Sequence, residues 1–301
     1  MRVEVIEPDE VDKGEYLAGA DSAFPGPSMS ERELEWKWAH NGFGRPTIVV
    51  ARDERGRLIG SLVFGAMDLR GPMGPVFARL SYDVFVVPNA RRQGVLGNML
   101  QEAPGALQDC KIAFNFPNEK ATPGFRRSGW VRVQRVLQHS TLVTPRRESQ
   151  ITDADPGSLV DVPLLRFFAR VGSFDWTPGP THVDWRLRRP GLETRLLHES
   201  EVTALVSVHR RRGIGELRVL EVWGRSTGAE VLASIGRMAR FLKCPLATYP
   251  IGGREILEHF RLGLRGWVAR PSRAELHVWD GSSTEARNSR WIVSGGMFHT
   301  W

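Results

Sequence analysis

The sequence contains very few cysteines and no run of apolar residues that could cross a membrane. Cys110 and Cys244 are the two cysteines among 301 residues, and they lie far apart in apolar segments. This spacing excludes a disulfide framework and a cysteine-based metal site, so both should be reduced residues of the core. No apolar run approaches the ~20 residues of a membrane helix, and the N-terminus has no apolar signal core. These absences predict a cytoplasmic globular protein without a metal site or a membrane segment.

Negative charge is also in deficit, because 41 lysine and arginine residues outnumber 34 aspartate and glutamate residues and give a net charge of +7. Such a balance favours an acidic partner, such as a nucleic acid, the phosphates of a small ligand or an acidic substrate. A nucleic-acid-binding protein usually concentrates its basic residues in one patch or helix. Here the arginines are scattered in short clusters, of which Arg91-Arg92 and Arg126-Arg127 are two. We therefore expect no nucleic acid among the partners.

The segment from Val84 to Leu100 combines an apolar strand, a basic turn and a helix. Its first four residues are apolar and mostly β-branched, which predicts a buried strand. Pro88 ends this strand because proline cannot donate to a ladder. Two arginines and a glycine lead into a helix that begins at Val95. A glycine-bearing turn before a helix is a ready-made anion site, since free backbone N–H groups and the positive end of the helix dipole point at the bound group.

This turn has neither the Gly-Lys-Ser/Thr of a P-loop nor the Gly-x-Gly-x-x-Gly of a dinucleotide fold. It resembles the coenzyme-A loop of the GNAT acyltransferase superfamily, which is Arg/Gln-x-x-Gly-x-Gly/Ala after a strand. Arg91 and Gly94 match, whereas Leu96 stands where a second small residue is usual and Gly97 follows one position later. The resemblance implies acetyl-CoA or a longer acyl-CoA as cofactor. Its pyrophosphate is expected against the loop residues, namely Arg91, Arg92, Gln93, Gly94, Val95, Leu96, Gly97 and Asn98.

The same resemblance implies how the acyl group would be held. In this superfamily the strand before the loop separates from its neighbour, and the pantetheine arm of the coenzyme enters the gap. A backbone amide at the end of that strand then binds the acyl carbonyl. In this sequence the amide would be that of Val86 or Val87, and an ordinary position in a core strand is compatible with the same residues.

A second motif follows about twenty residues later. The segment from Phe114 to Trp130 predicts a strand, a Pro-Asn turn, a short helix and a Gly-Trp pair before another apolar strand. It resembles the unit that follows the coenzyme site in one GNAT subgroup, which implies that Asn118 and Phe125 line that site. Many enzymes of the superfamily have a tyrosine four residues before the glycine, where it protonates the leaving thiolate. Phe125 occupies that position here and has no proton to give, so the acid must be another group or water.

The sequence offers several candidates for the base that deprotonates an amine. Asp83 is a carboxylate in a mostly apolar strand, which is costly unless it is functional or paired with a neighbouring arginine. Glu119 could act as base or could cap the short helix. His198 has chemistry suited to a base at neutral pH, and the alternative for it is an ordinary surface histidine. His209 and Glu221 are further alternatives on strands of the second half.

The order of predicted elements repeats along the chain. Each half has a hairpin, a long strand, a helix, a strand, a helix and a last strand, although the second half has no Arg-x-x-Gly-x-Gly after its long strand. We therefore predict an α/β (α+β) mixed-sheet fold with two tandem GNAT-like domains, the second degenerate and without coenzyme. The predicted N-terminal domain is 1–145, the linker is 146–162, and the C-terminal domain, 163–301, would form a wall of the acceptor site.

The resemblance implies an N-acyltransferase that moves an acyl group from acetyl-CoA or a longer acyl-CoA to a primary amine. Ten tryptophans and scattered arginines would suit a small-molecule acceptor such as an amino sugar, or an antibiotic that bears one, and hence a role in antibiotic biosynthesis. The protein would act as a monomer or homodimer. The alternative from another class is a non-catalytic acyl-CoA-binding or regulatory module, which Leu96 and the missing tyrosine favour slightly.

Overall fold

The computed structural model describes residues 1–24, 28–39, 41–143, 150–159, 173–176, 178–211, 213–224, 228–252, 268–279, 281 and 284–292. The helices predicted over 164–171 and 254–262 lie outside these ranges, as does all but the first two residues of the strand predicted over 291–298. Within the described ranges no helix is long and apolar enough to cross a membrane. These residues also contain no cluster of His, Cys, Asp and Glu side chains that could hold a metal ion.

Six strands and four helices form the N-terminal half. The strands are β1 Arg2–Ile6, β2 Thr47–Arg52, β3 Leu58–Gly71, β4 Gly74–Val86, β5 Ile112–Asn115 and β6 Trp130–Leu142. The helices are α1 Lys13–Ala23, α2 Glu31–Trp38, α3 Val95–Ala106 and α4 Thr122–Arg127. The element types agree with the sequence prediction, and the strands of the central hairpin extend further at their shared turn than the sequence pattern indicates.

The C-terminal half contains eight strands and three helices among its described residues. The strands are β7 Thr152–Asp153, β8 Ser173–Trp176, β9 Glu193–Glu199, β10 Val202–Arg211, β11 Ile214–Gly224, β12 Leu246–Gly252, β13 Val268–Trp279 and β14 Arg290–Ile292. The helices are α5 Pro180–Leu187, α6 Gly228–Phe241 and α7 Thr284–Asn288. Strand β7 falls within the predicted linker and pairs with β9, so this part of the linker joins the edge of the sheet.

One mixed sheet runs through both halves of the chain. Its strand order is β1-β2-β3-β4-β5-β13-β6-β12-β11-β10-β9-β7, and β8 joins from the side through β3 and β14. Strand β13 inserts between β5 and β6, while β6 pairs on its other side with β12. The two halves therefore exchange strands. Strand β13 of the C-terminal half extends the N-terminal part of the sheet, and β6 of the N-terminal half extends the C-terminal part.

Helices cover both faces of the N-terminal part of the sheet, and the side chains along each strand point alternately to one face and the other. Val49 and Leu62 point to the side of helix α3, whereas Ile48 and Val63 pack on the side of α1 and α2. This is the period of two that a strand imposes on its side chains. Side-chain caps start helices α1 and α2, because Asp12 accepts from the amide of Glu15 and Ser30 from that of Glu33. The sheet covered in this way carries the turn that the sequence predicts to bind phosphate, at the end of β4.

Candidate active site

Strands β4 and β5 run parallel and then separate. Their pairing begins at Ala78 with Ile112 and ends at Ser81 with Asn115, whereas β4 continues to Val86. Pro117 is the second residue after β5 and has no backbone N–H to extend the ladder. The result is a gap between the two strands at the end that leads into the turn, as the sequence motif implies.

A bulge in β4 lies at the mouth of this gap. Ser61 pairs with Phe85 and Val63 with Tyr82, so one residue of β3 faces two of β4. The extra residue is Asp83, which has a left-handed backbone with φ of 44°. A bulge of this kind bends the strand and redirects its side chains. It explains why Tyr82 and Phe85 both pack on the side of α1 and α2, against the simple alternation predicted from the sequence.

The acyl-binding amide can be identified from the hydrogen bonds at the end of β4. The Val87 amide donates to the Ile59 carbonyl at 3.0 Å, so it faces β3 and cannot bind an acyl group. The prediction that includes Val87 is therefore wrong for its amide. The Val86 carbonyl accepts from Arg91 Nε at 3.1 Å on the other side. Because N–H and C=O of one strand residue point the same way, the Val86 amide faces the gap.

The turn after β4 presents backbone N–H groups as predicted. Arg92 and Gly94 both have left-handed backbones, with φ of 64° and 80°, and Gly94 is the cap residue of α3. The first-turn amides of Val95, Leu96 and Gly97 have no partner within the helix. Asn98 differs, because its amide donates to the Gly94 carbonyl at 3.0 Å. The predicted role of the Asn98 amide is therefore wrong, although the residue lines the cleft.

Some side chains around the turn hold the backbone in place, and others present positive charge to the cleft. Arg91 donates to the carbonyls of Val86 and Ala23, so it ties the end of α1 to β4. The Gln93 side chain donates to the Asn89 carbonyl within the turn. Arg92 is exposed on the near wall of the cleft. On the opposite wall stand two cations that the sequence analysis did not identify, Lys120 and Arg127.

Leu96 departs from the family motif without closing the cleft. A Cβ atom built on Gly124 would lie 2.8 Å from Leu96 Cδ2, so the leucine packs directly over the glycine of helix α4. The missing side chain at Gly124 makes room for the large one at Leu96. Gly97 faces the cleft, and a Cβ atom built there would meet no protein atom within 4 Å.

Two adjacent spaces follow the turn and the gap. The larger is a cleft of about 1060 Å³ along the turn, α1 and α4, and we call it the coenzyme cleft. The smaller is a cavity of about 260 Å³ between the separated strands, and we call it the transfer cavity. They share four lining residues, which are Phe24, Val84, Asn118 and Ala121. The cleft and the cavity therefore lie next to each other at the end of β4.

Asn118 and Phe125 both reach the transfer cavity. The Asn118 side chain accepts from the amides of Lys120 and Ala121 and so caps the turn that leads into α4. Phe125 is fully buried against Trp130, with ring centroids 5.1 Å apart. Tyr82 also lines this cavity, and burial holds the pKa of its phenol well above the ordinary value, so that it keeps its proton. The sequence analysis did not single out Tyr82, because its position depends on the bulge.

The three predicted bases have different surroundings. Asp83 lines the transfer cavity, and both its oxygens lie 3.0 Å from Lys37 Nζ of α2, with the side chains 9% and 3% exposed. The pairing alternative is thus confirmed, with a lysine in place of an arginine. Glu119 is exposed and lines neither the cleft nor the cavity. Helix α4 has Ala121 as its N-cap residue and no side-chain cap, so Glu119 does not cap it either.

His198 is wrong as a candidate because the sheet keeps it away from the cavity. It lies exposed on β9 and contacts Thr203 through Nδ1 at 2.9 Å. Six strands separate β9 from β4 in the sheet, namely β5, β13, β6, β12, β11 and β10. At ~4.8 Å per strand the two positions are roughly 34 Å apart along the sheet. His209 and Glu221 lie on β10 and β11 and are also remote.

Comparison with known proteins agrees with this geometry. Residues 4–133 match the family model of the acetyltransferase (GNAT) domain. None of the curated protein sequences matches the chain. Among solved structures, a probable N-acyltransferase from Enterococcus faecalis V583 has a TM-score of 0.63 at 13% identity, with 92% of this chain and 71% of that chain covered.

Two further structures resemble the chain over both halves. A GCN5-related N-acetyltransferase from Anabaena variabilis has a TM-score of 0.61 at 13% identity, covering 96% of this chain and 75% of that chain. Eis1 from Mycobacterium abscessus has a TM-score of 0.54 at 16% identity, covering 93% and 73%. At such identities these structures support the fold. The family model covers residues 4–133, so the comparisons show a GNAT acetyltransferase domain in the N-terminal half and a shared fold over both halves.

Proposed function

We propose that this protein is a tandem GNAT-like N-acyltransferase that moves an acyl group from an acyl-CoA to a primary amine of a small molecule. The observation that carries the proposal is the position of the transfer cavity directly beside the coenzyme cleft, with four lining residues in common. The anion site at the start of α3 suits the phosphates of an acyl-CoA, and the gap between β4 and β5 suits its pantetheine arm and acyl group. The amine would enter the cavity and attack the thioester there.

The coenzyme has a natural placement in this cleft. Its pyrophosphate would lie over the amides of Gly94 to Gly97, at the positive end of helix α3. Lys120 and Arg127 on the opposite wall would contact the remaining phosphate. The pantetheine arm would follow β4 into the gap, where the Val86 amide would bind the acyl carbonyl and its developing negative charge. The 260 Å³ of the transfer cavity favour an acetyl group or another short acyl group.

The second half is proposed to be a GNAT-like domain that has lost its coenzyme site. Antiparallel β10 and β11, helix α6 and strand β12 parallel to β11 follow the same order as β3, β4, α3 and β5. The chain would divide as 1–145, 146–162 and 163–301. The C-terminal domain would complete the acceptor site through β13, which lies beside β5 at the edge of the gap.

A binding measurement followed by a turnover measurement tests the function. Thermal unfolding is recorded with acetyl-CoA, a longer acyl-CoA, free coenzyme A and no ligand. A ligand at 100 times its Kd should add ~2.7 kcal/mol to the free energy of unfolding. Release of free thiol is then followed with a panel of amino sugars, amino-sugar antibiotics and simple amines. Binding without thiol release against every amine would favour a non-catalytic acyl-CoA-binding module, and no binding would contradict the proposed use of the cleft.

A further inference from the structure

Three polar residues form a row across three adjacent strands at the floor of the transfer cavity. Ser81 of β4 pairs with Asn115 of β5, and Asn115 pairs on its other side with His277 of β13. The residues next to them, Leu80, Phe114 and Val278, pack together in one apolar cluster on the opposite face. Because directly paired residues share a face, Ser81, Asn115 and His277 lie side by side, and we call them the polar row.

The polar row is buried and unsatisfied. The three residues are 3%, 5% and 0% exposed. Ser81 Oγ, Asn115 Nδ2 and His277 Nδ1 have no hydrogen-bond partner within the part of the chain that the structure describes, and His277 Nε2 has a long contact of 3.5 Å with Glu275. Buried polar groups are normally paired, and exceptions call for water, a ligand or a catalytic role. Three exceptions next to one another are not explained by packing.

The polar row lies between the transfer cavity and a group of charged side chains around Glu275. Ser81 and Asn115 line the cavity, and His277 stands on the far side of Asn115. His277 Nε2 lies 3.5 Å from Glu275 Oε2 of its own strand. Glu275 is held by Arg132 and Arg135 of β6, at 2.9 and 3.4 Å. Arg126 of α4 also acts on the imidazole electrostatically.

Resting on the proposed function, we propose that the polar row is the proton relay of the acyl transfer, with His277 as the proton acceptor and Glu275 as its positioning carboxylate. Water bound between Ser81 Oγ and Asn115 would take a proton from the amine in the cavity, and a second water beside Asn115 would pass one to the imidazole. Both residues can hold such a water, since hydroxyl and amide groups each donate and accept. The acceptor would thus be supplied by the C-terminal half of the chain.

The protonation states suit this role. Burial lowers the pKa of His277, the neighbouring arginines act in the same direction, and Glu275 opposes them without restoring the ordinary value. The imidazole is therefore neutral near neutral pH and can accept a proton. Asp83 is less suited, because its two oxygens already bind Lys37.

The proposed reaction accounts for both protons that the nitrogen loses. An R–NH₃⁺ group loses one proton through water to His277, which becomes imidazolium beside the Glu275 carboxylate. The free amine attacks the thioester carbonyl, so that a C–N bond forms and the C–S bond breaks. The thiolate of coenzyme A leaves and takes up the second proton of the nitrogen, and the imidazolium releases the first proton to solvent.

The test compares pH profiles of kcat/KM for the full-length protein, its His277→Gln variant and its Glu275→Gln variant, with acetyl-CoA and an amine that the wild type acylates. His277→Gln should lower kcat by about 100-fold with an unchanged Kd for acetyl-CoA, and should lose the acid limb of the profile. Glu275→Gln should retain that limb but move it to lower pH, because the carboxylate that stabilises the imidazolium is gone. If Glu275 only supported packing, Glu275→Gln would leave the pH of the acid limb unchanged.

Glu216→Gln is the matched control, since Glu216 is also a partly buried strand carboxylate with an arginine partner, Arg218, in the sheet of the second half. Its profile should match that of the wild type. An unaltered acid limb in Glu275→Gln, or wild-type kcat in His277→Gln, would overturn the relay while leaving the proposed function intact. If His277→Gln fails to fold, Glu275→Gln decides alone. Coenzyme binding by a wild type that transfers to no amine would instead contradict the proposed function, and the relay with it.

Discussion

Trp36 and Trp185 stack with ring centroids 4.3 Å apart and planes 5° from parallel. Each indole N–H donates to the backbone carbonyl of the other residue, at 2.7 and 2.8 Å. This reciprocal contact joins helix α2 of the N-terminal half to α5 of the C-terminal half. Lys37, the next residue after Trp36, reaches Asp83 at the transfer cavity. The junction between the halves therefore supports the wall of the proposed active site.

The first prediction concerns this stacked pair. Trp185→Ala should destabilise the protein by about 3–5 kcal/mol, because it removes a large buried side chain and leaves a cavity. Trp185→Phe keeps an aromatic ring but loses one hydrogen bond, so it should cost less, about 1–2 kcal/mol. Urea unfolding measures both. Equal losses in the two variants would mean that the N–H donor, and not the stack, holds the two helices together.

The second prediction uses two helical glycines that have open space where a Cβ atom would be. Gly97 faces the coenzyme cleft near the start of α3, and Gly236 lies in α6. Gly97→Glu should leave folding intact or improve it, since glutamate is favourable in the first turn of a helix. It should weaken acetyl-CoA binding at least tenfold, because the carboxylate repels the pyrophosphate. Gly236→Glu is the control.

Calorimetric Kd values and thermal midpoints distinguish these effects. Both glutamate variants should unfold within a few degrees of the wild type, and the control should bind coenzyme normally. Wild-type affinity in Gly97→Glu would show that the pyrophosphate does not lie on this helix terminus. That result would contradict the placement of the coenzyme while leaving the fold unaffected.

The parts of the site that the sequence predicted are those encoded locally. The turn from Arg91 to Gly94 and the short helix α4 depend on residues close in sequence, so motif and spacing sufficed to predict them. The choice between Val86 and Val87 required the pairing of β4 with β3, and the pairing of Asp83 with Lys37 required helix α2 to pack nearby. Such relationships depend on register and packing, which single-sequence patterns do not determine.

The errors at longer range came from the sheet order. His198 is remote because β9 lies near the far edge of the sheet, which a repeated order of elements does not reveal. The exchange of β13 and β6 between the halves brings His277 beside Asn115, although they are far apart in sequence. A buried histidine in an apolar strand is a signal in the sequence, but nothing local indicates which strand will lie next to it.

The third prediction concerns the buried ion pair of Lys37 and Asp83. Lys37→Met should destabilise the protein by about 3–5 kcal/mol, since it leaves a buried carboxylate without its partner. Asp83→Asn should have a similar cost and no backbone strain, because asparagine tolerates the left-handed conformation. The double variant, Lys37→Met with Asp83→Asn, should lose less stability than the two single variants lose in total. A double-mutant cycle by urea unfolding measures this coupling.

A surface pair supplies the control for that cycle. Lys13 Nζ lies 2.8 Å from Glu35 Oε1, but both side chains are well exposed. Lys13→Met should therefore cost much less than Lys37→Met. A loss in Lys37→Met no larger than that in Lys13→Met would mean that water reaches Asp83 in solution, and that the carboxylate could then serve as a base in the transfer cavity.

The fourth prediction is the pH dependence of stability. Burial, with a smaller effect from Arg218, lowers the pKa of His209 to about 4 from an ordinary value of 6.5. Between these values the unfolded chain binds a proton that the folded chain does not, so stability must fall as the pH decreases through this range and level off below it. Solvent reaches part of the ring, which reduces the contribution of His209 to about 1–2 kcal/mol. Buried His182 and His277, whose pKa values are also lowered, act in the same direction.

His209→Gln isolates this contribution because glutamine keeps a hydrogen-bonding group near Ser207, which contacts His209 Nε2 at 3.1 Å. The free energy of unfolding is measured for the variant and the wild type at several pH values from about 8 down to about 4. The variant should lose less stability than the wild type over that interval, with the two curves parallel above pH 7. Parallel curves throughout would show that His209 titrates alike in the folded and unfolded chain, and that water reaches its ring between β10 and its neighbours.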